Sequence, residues 1–222
     1  MTTLTTLTQE PCAAVVRRLF AEAGASEAKL EAHSRTQAAE ELGALMNSPD
    51  YRALYGALKE FHLAVSTDTA SLLYMCARAT RARIVVEFGT SFGVSTVHLA
   101  AALRDNGGGR LVSTEFEPAK VERARANIAA AGLADLVDVR CGDALDTLTE
   151  ALPESIDLLF LDGAKSLYVK VLGLLEPRLH SGSVLLADNA DWSPEYLARV
   201  RAPAGGYRSL AVADGVELSL RL

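Results

Sequence analysis

After Arg81 the apolar residues of this chain change period, and that change constrains its fold more than any single motif does. Short strand-like runs at 84–88, 110–114, 137–141, 156–161 and 183–187 alternate with amphipathic segments of helical period. A helical crossover returns the chain in the direction it left, so successive strands of this kind pair in parallel. The pattern therefore predicts a doubly wound α/β sheet with helices on both faces. At the tail, 207–212 and 216–220 are separated by Ala213, Asp214 and Gly215, which predicts a hairpin. The sum is a seven-stranded, mostly parallel sheet with an antiparallel last strand. From Pro11 to about Thr80 the period is helical instead: Val15, Val16, Leu19 and Phe20, then Leu54, Leu58 and Phe61, then Leu72, Leu73 and Cys76 recur on one face. Ser48 or Pro49 and the 66–69 stretch supply the breaks and caps. With 222 residues, 50% hydrophobic, and no repeat or low-complexity linker, the chain is expected to be a single domain over 1–222. Residues 1–80 form its helical cover and 81–222 its α/β core.

Charge and cysteine usage exclude several function classes. A formal net charge of -6 repels phosphate backbones, so nucleic acid is not an expected partner. The basic cluster Arg78, Arg81 and Arg83 falls where a helix ends and is read as compensating its C-terminus. Cys12, Cys76 and Cys141 show neither metal-ligand spacing nor the even count of a disulfide framework. The Thr-rich start lacks a basic and an apolar region, and no run is long enough to span a membrane, so a cytoplasmic protein with no membrane partner is expected. His33, His62, His98 and His180 are scattered, His98 on an apolar helix as a structural residue, and no Gly-x-Ser-x-Gly elbow exists for acyl transfer.

The chemistry-bearing residues fall at strand ends. The run 158–161 ends in Asp162, and 184–187 ends in Asp188 and Asn189. Buried parallel strands deliver functional side chains at their C-terminal edges, so these three converge. All offer hard oxygen atoms, which suits Mg2+ or a similar hard cation and disfavours zinc. The segment from Val85 to Thr96 runs strand, glycine loop, helix. Gly89 and Gly93 permit close backbone approach, and Ser95 with the free N–H groups of the helix start can bind a carboxylate. Their Gly-x-x-x-Gly spacing is neither the dinucleotide fingerprint nor a phosphate loop, which favours a compact nucleoside. The second strand ends in Glu115, placed to accept from ribose hydroxyls, and the third in Gly142, Asp143 and Ala144, with Asp143 placed to accept from an adenine amino group.

Taken together, the glycine loop with Glu87, the acid Glu115, the turn 142–144, the segment 161–165 and the strand end 187–189 resemble the S-adenosylmethionine- and Mg2+-dependent O-methyltransferases of the catechol and caffeoyl-CoA type, in their bacterial form. The resemblance runs from Ser66 to the C-terminus and implies the class I methyltransferase, Rossmann-like fold. It implies that Asp162, Asp188 and Asn189 hold Mg2+ (or Mn2+ or Ca2+) and that Lys165, with Asp162, is catalytic, Lys165 as the base. The cofactor set it implies is Glu87, Gly89, Thr90, Ser91, Gly93, Ser95, Glu115, Gly142, Asp143, Ala144 and Asp162, with Ser95 meeting the methionine carboxylate. It further implies a small hydroxylated acceptor and a homodimer. Gly163 and Ala164 stand where the catechol enzyme has a histidine and a tryptophan, so the adenine wall must be built differently. The 66–69 stretch likewise replaces the usual Gly-Gln-bearing segment.

Lys165 lies three residues past Asp162, within reach of a hydroxyl on the same ion, and must be neutral to act as a base. Tyr168 and Trp192 are candidates for the acceptor wall, although a lone tryptophan more often packs in a core or rim. The rival readings are a metal-independent methyltransferase, a non-catalytic binding protein and a short-chain oxidoreductase. The last needs a Tyr-x-x-x-Lys pair that is absent here, since Val169 and Lys170 follow Tyr168 directly.

Overall fold

The computed structural model describes residues 5–34, 51–149, 151–213 and 215–222. Its seven-stranded sheet has the order β3-β2-β1-β4-β5-β7-β6, formed by β1 (Ile84–Phe88), β2 (Arg110–Glu115), β3 (Val137–Cys141), β4 (Ile156–Leu161), β5 (Leu179–Ala187), β6 (Tyr207–Ala213) and β7 (Val216–Arg221). The first five strands pair in parallel, and β7 runs antiparallel between β5 and β6, as the alternation predicts. Chain order reverses between β1 and β4, which opens a crevice at the C-terminal strand ends.

The pleat divides the strand residues between two cores. Val85, Leu158, Phe160, Val184 and Leu186 face one side, where they meet α1 (Cys12–Ser34), α3 (Thr67–Ala79), α4 (Val94–Asp105) and α5 (Pro118–Ala130). Val86, Phe88, Leu159, Leu161, Leu185 and Ala187 face the other, against α6 (Ala144–Thr147), α7 (Tyr168–Leu175) and α8 (Pro194–Arg201). With both faces covered, Leu158 to Leu161 have no exposed surface at all. Each such burial contributes about 1.5 to 3 kcal/mol, which is why these strands read as unbroken apolar runs. The helix α4 is buried from Val94 through Leu103, His98 included, whose Nδ1 lies 2.8 Å from the Val94 carbonyl. That histidine is structural, as expected.

The helical cover packs on the first of these cores through Val15, Leu19, Leu73 and Ala77. Ser66 caps α3, its hydroxyl accepting from the Thr69 N–H at 3.0 Å. The break expected at Ser48 or Pro49 lies outside the described residues, as do the side chain of Leu54 and residue Asp214. The helix expected to carry Leu54, Leu58 and Phe61 on one face instead ends early. Helix α2 spans Tyr51–Ala57, and beyond Gly56, a poor helix former, the backbone closes turns such as Phe61 N–H to Leu58 O at 3.0 Å. The strand β5 starts before the expected 183, because Leu179 pairs with Ile156 across a register shift. Its polar stretch His180, Ser181 and Gly182 carries no apolar signal. Among the described residues no helix is long and apolar enough to cross a membrane, and Cys12, Cys76 and Cys141 are all free.

Candidate functional site

The loop after β1 is built on backbone conformations that favour glycine. Gly89 has φ +103°, and a Cβ there would stand 2.6 Å from the Asp162 carbonyl oxygen, so the first and fourth strand ends touch only because no side chain intervenes. The N–H groups of Gly89 and Thr90 both reach the Thr114 carbonyl, and Gly93, at φ +93°, opens α4. Ser91 takes a left-handed φ of 48° and donates its N–H to Glu115 Oε2 at 2.8 Å. Glu115 Oε1 accepts from Glu117 N–H at 3.0 Å. Burial pushes the Glu115 carboxyl up, opposed by these N–H donors and by nearby Lys120. Each oxygen keeps acceptor capacity toward the cleft that Glu115 lines.

That cleft encloses about 570 Å3, counting its solvent-open mouth. Gly89, Ser91, Glu115, Gly142, Asp143, Ala144 and Asp162 all line it. A smaller neighbouring cavity of about 250 Å3 is lined by Thr90, Ser91, Ser95 and again Asp162, with His62 stacked on Phe92 at 3.9 Å. Leu63 lines both spaces, so the segment before α3 does reach the site, by a residue without a polar side chain.

Glu87 lies elsewhere than the sequence suggests. It is fully buried behind the loop and lines neither space; it accepts hydrogen bonds from Ser95 Oγ (2.6 Å), Thr96 Oγ1 (2.6 Å) and Ser113 Oγ (2.5 Å). Burial drives its carboxyl up to about 7, and the three hydroxyls only partly oppose that. Any influence on a ligand passes through Ser95 and Thr96 at the start of α4. Ser95 correspondingly has its proton committed to Glu87, leaving lone pairs rather than a donor toward the smaller cavity. For an incoming carboxylate the N–H groups of the helix start are then the available donors.

Asp143 is also engaged. Its Oδ1 caps α6 by accepting from Leu145 N–H at 3.0 Å, and its Oδ2 takes the Tyr51 hydroxyl and Arg52 Nη2, each at 2.6 Å. Burial alone would raise its carboxyl, but these donors hold it below the ordinary value.

At the ends of β4 and β5 the ladder runs one bond past each strand, with Asp162 N–H on Phe88 O at 2.8 Å and Asp188 N–H on Leu161 O at 2.9 Å. This sets Asp162 beside Asp188, and Asn189 follows in a left-handed conformation with φ 47°. Lys165 Nζ lies 2.9 Å from Asp162 Oδ1, and both side chains are largely buried. Burial raises the Asp162 carboxyl against the pull of Lys165. The Asp188 carboxyl is pushed up to about 6, first by burial and then by the Asp162 charge. Among the described residues no three His, Cys, Asp or Glu side chains gather as a ligand set. The expected trio has two carboxylates and an amide. The oxygens of Asp188 and of Asp162, the latter paired with Lys165, are hard donors of the type a divalent cation takes.

Of the two acceptor-wall candidates, Tyr168 is set apart by its burial. Tyr168 is fully buried, its hydroxyl 2.8 Å from the Leu161 carbonyl and 2.7 Å from the Asp188 carbonyl, so it braces the two strand ends. Trp192 is 61% exposed and so is not packed in the core. The wall left open by Gly163 is filled from β1: a Cβ at Gly163 would overlap the Phe88 ring, which lines the cleft and meets Tyr168 edge-on at 6.3 Å. Sequence reasoning missed Phe88, Tyr51, Leu63 and Lys120, whose residue types are ordinary for a strand, a helix or a loop.

Comparison with known proteins agrees with this geometry. A family described as a methyltransferase domain matches residues 86–190. The catechol O-methyltransferase of Mycobacterium tuberculosis is 38% identical over 127 residues, a match covering 57% of each chain. This chain thus spans little more than half the length of that relative. The catechol O-methyltransferase of Mus musculus is 30% identical over 179 residues, covering 73% of this chain and 67% of the mouse protein. Among solved structures, cofactor-bound Rv0187 from MTB superposes with a TM-score of 0.65 at 28% identity, over 82% of this chain and 94% of that one.

Proposed function

We propose that this chain, which belongs to the class I S-adenosylmethionine-dependent O-methyltransferases of the catechol and caffeoyl-CoA type, methylates a hydroxyl of a small catechol-like or phenolic acceptor with the help of a divalent cation. One observation carries the reading: Asp162 borders both the cleft bearing Glu115 and the smaller cavity, and it holds Lys165 at 2.9 Å. The nucleoside-binding residues and the base therefore meet at one carboxylate.

Bound S-adenosylmethionine supplies an electrophilic sulfonium methyl, which the acceptor oxygen attacks in line. Glu115 accepts from the ribose hydroxyls through the lone pairs its backbone partners leave free. The N–H groups after Gly93 receive the methionine carboxylate, and Glu87 fixes the hydroxyls of Ser95 and Thr96 beside them. Asp162, Asp188 and Asn189 would hold Mg2+, whose Lewis acidity lowers the acceptor hydroxyl's pKa when it is bound. Lys165, in its neutral form, takes the hydroxyl proton at Nζ and becomes the ammonium that pairs with Asp162, and the braced strand ends hold donor and acceptor groups in alignment, an entropic contribution of several kcal/mol on the order of the effective-molarity range. A homodimer and a cytosolic setting belong to the same reading. The exposed Leu210 and Val212 on edge strand β6 support the first, and the free cysteines support the second.

One observation favours a metal-independent variant: the Lys165 ammonium already neutralises much of the Asp162 charge. The test is a turnover screen with S-adenosylmethionine over catechols, simple phenols and their CoA esters, with Mg2+ and with EDTA. The expected result is methylation of a vicinal diol that EDTA abolishes and Mg2+ restores, with Asp188→Ala matching the EDTA result. Full turnover in EDTA overturns the metal part. Failure to bind S-adenosylhomocysteine overturns the whole reading.

A further inference from the structure

The helical cover reaches the cleft through Leu63 and through a second contact, on Asp143, that has no counterpart in local sequence. Tyr51 and Arg52 of α2 both donate to Asp143 Oδ2, across 92 and 91 residues of chain. The guanidinium also stands 5.6 Å from the centre of the Tyr51 ring. Tyr51 lines the cleft together with Phe116, Asp143, Ala144 and Leu167. A carboxylate oxygen has two good acceptor directions, and on Oδ2 both are taken. On Oδ1 the Leu145 N–H takes one, so only one is left for a ligand. Asp143 is therefore poorly supplied as a reader of an exocyclic amine and well placed as an anchor for Tyr51. Phe88 already fills the wall beside Gly163, and among the residues that line the cleft Tyr51 is the aromatic anchored on Asp143.

We propose that Tyr51 is a cofactor-binding residue that closes the nucleoside end of the cleft with its ring against the adenine, and that Asp143 is a positioning residue holding Tyr51 and Arg52 there. This rests on the S-adenosylmethionine reading above. The helical cover is then part of the cofactor site as well as a cover on the sheet. An aromatic ring suits this place because every purine has a π face, and the clamp on its hydroxyl removes the entropy the ring would lose on binding.

The experiment uses two ligands on the full chain, S-adenosylhomocysteine and S-ribosylhomocysteine, which differ by the adenine alone. Calorimetry, with competition for the weaker ligand, gives both affinities. Tyr51→Ala should weaken S-adenosylhomocysteine about 10- to 100-fold, the usual range for a lost base–aromatic stack. Binding of S-ribosylhomocysteine should stay within about twofold, since that ligand lacks the stacked group. Tyr51→Phe keeps the ring and should lose only about 3- to 10-fold, the effect of one hydrogen bond. Asp143→Asn should match Tyr51→Phe and add little to Tyr51→Ala, because the two residues act as a unit. In turnover the loss should fall on KM for S-adenosylmethionine rather than on kcat. Equal weakening of both ligands by Tyr51→Ala, or none, overturns the assignment and reduces the contact to docking of the cover. A wild-type protein that binds neither ligand overturns the cofactor reading and this inference with it.

Discussion

Replacing Glu87 by Gln should change how stability depends on pH, and the size of the change follows from its burial. The carboxyl has no exposed surface, and burial raises it from 4.5 to about 7 despite donors from Ser95, Thr96 and Ser113. That interval corresponds to about 3 kcal/mol of free energy. In the window from pH 4.5 to about 7 the folded protein keeps this proton and the unfolded chain has lost it. Stability therefore falls as pH rises: the contribution is complete below the unfolded value and gone above the folded one. Gln keeps the shape and cannot titrate, and its amide can donate to a hydroxyl that turns to accept. Glu115, Asp162 and Asp188 are also raised and add slope of the same sign, but they do so in both proteins and cancel in the difference. Urea unfolding at a series of pH values between about 5 and about 8 should show the Gln variant gaining on the wild type by about 3 kcal/mol over that window. A difference that stays flat across the series would refute the reasoning, because the three hydroxyls would then be offsetting the whole cost of burying the charge.

Lys165→Ala should leave S-adenosylhomocysteine affinity intact and lower kcat by about 10^2- to 10^4-fold, with no rescue by Lys165→Arg, whose guanidinium stays protonated. An unchanged pH–rate profile would reduce Lys165 to an ion-pair partner of Asp162. Glu115→Ala should weaken S-adenosylhomocysteine in calorimetry by roughly 1 to 3 kcal/mol, since it removes the ribose acceptor and also orphans the Ser91 N–H. Gly89→Ala should lower stability in thermal unfolding by about 2 to 4 kcal/mol, combining left-handed strain with a Cβ pressed on the Asp162 backbone; a loss under about 1 kcal/mol would mean that the loop relaxes freely.

The parts of this molecule that could be read from sequence are those whose signal is local. Buried parallel strands repeat apolar residues because both faces are covered, so 156–161 could be bounded without a partner in view. An acid just past such a run points to the crevice, which places Asp162 and Asp188, and Lys165 follows three residues on as a helical neighbour would. Glu87 and Glu115 look alike in sequence and, because Glu87 pairs with Ser113, they point to the same face of the sheet; they differ in depth along it. Glu115 is the last residue of its strand and lines the cleft, whereas Glu87 precedes Phe88 and is sealed behind the loop. Strand parity is the same for both, so what separates them is the register of β1 on β2, which carries Glu115 beyond the end of β1 and leaves Glu87 one step inside it. Tyr51 is of another kind. Nothing within a few residues of it points to Asp143, because their contact exists only once α2 has docked across the strand ends. The cofactor half is therefore readable where one strand presents it, and unreadable where two distant segments must first pack. The same rule places Trp192 and Tyr168: the buried brace and the exposed ring are both aromatics that follow the ends of β4 and β5, and only tertiary packing tells them apart.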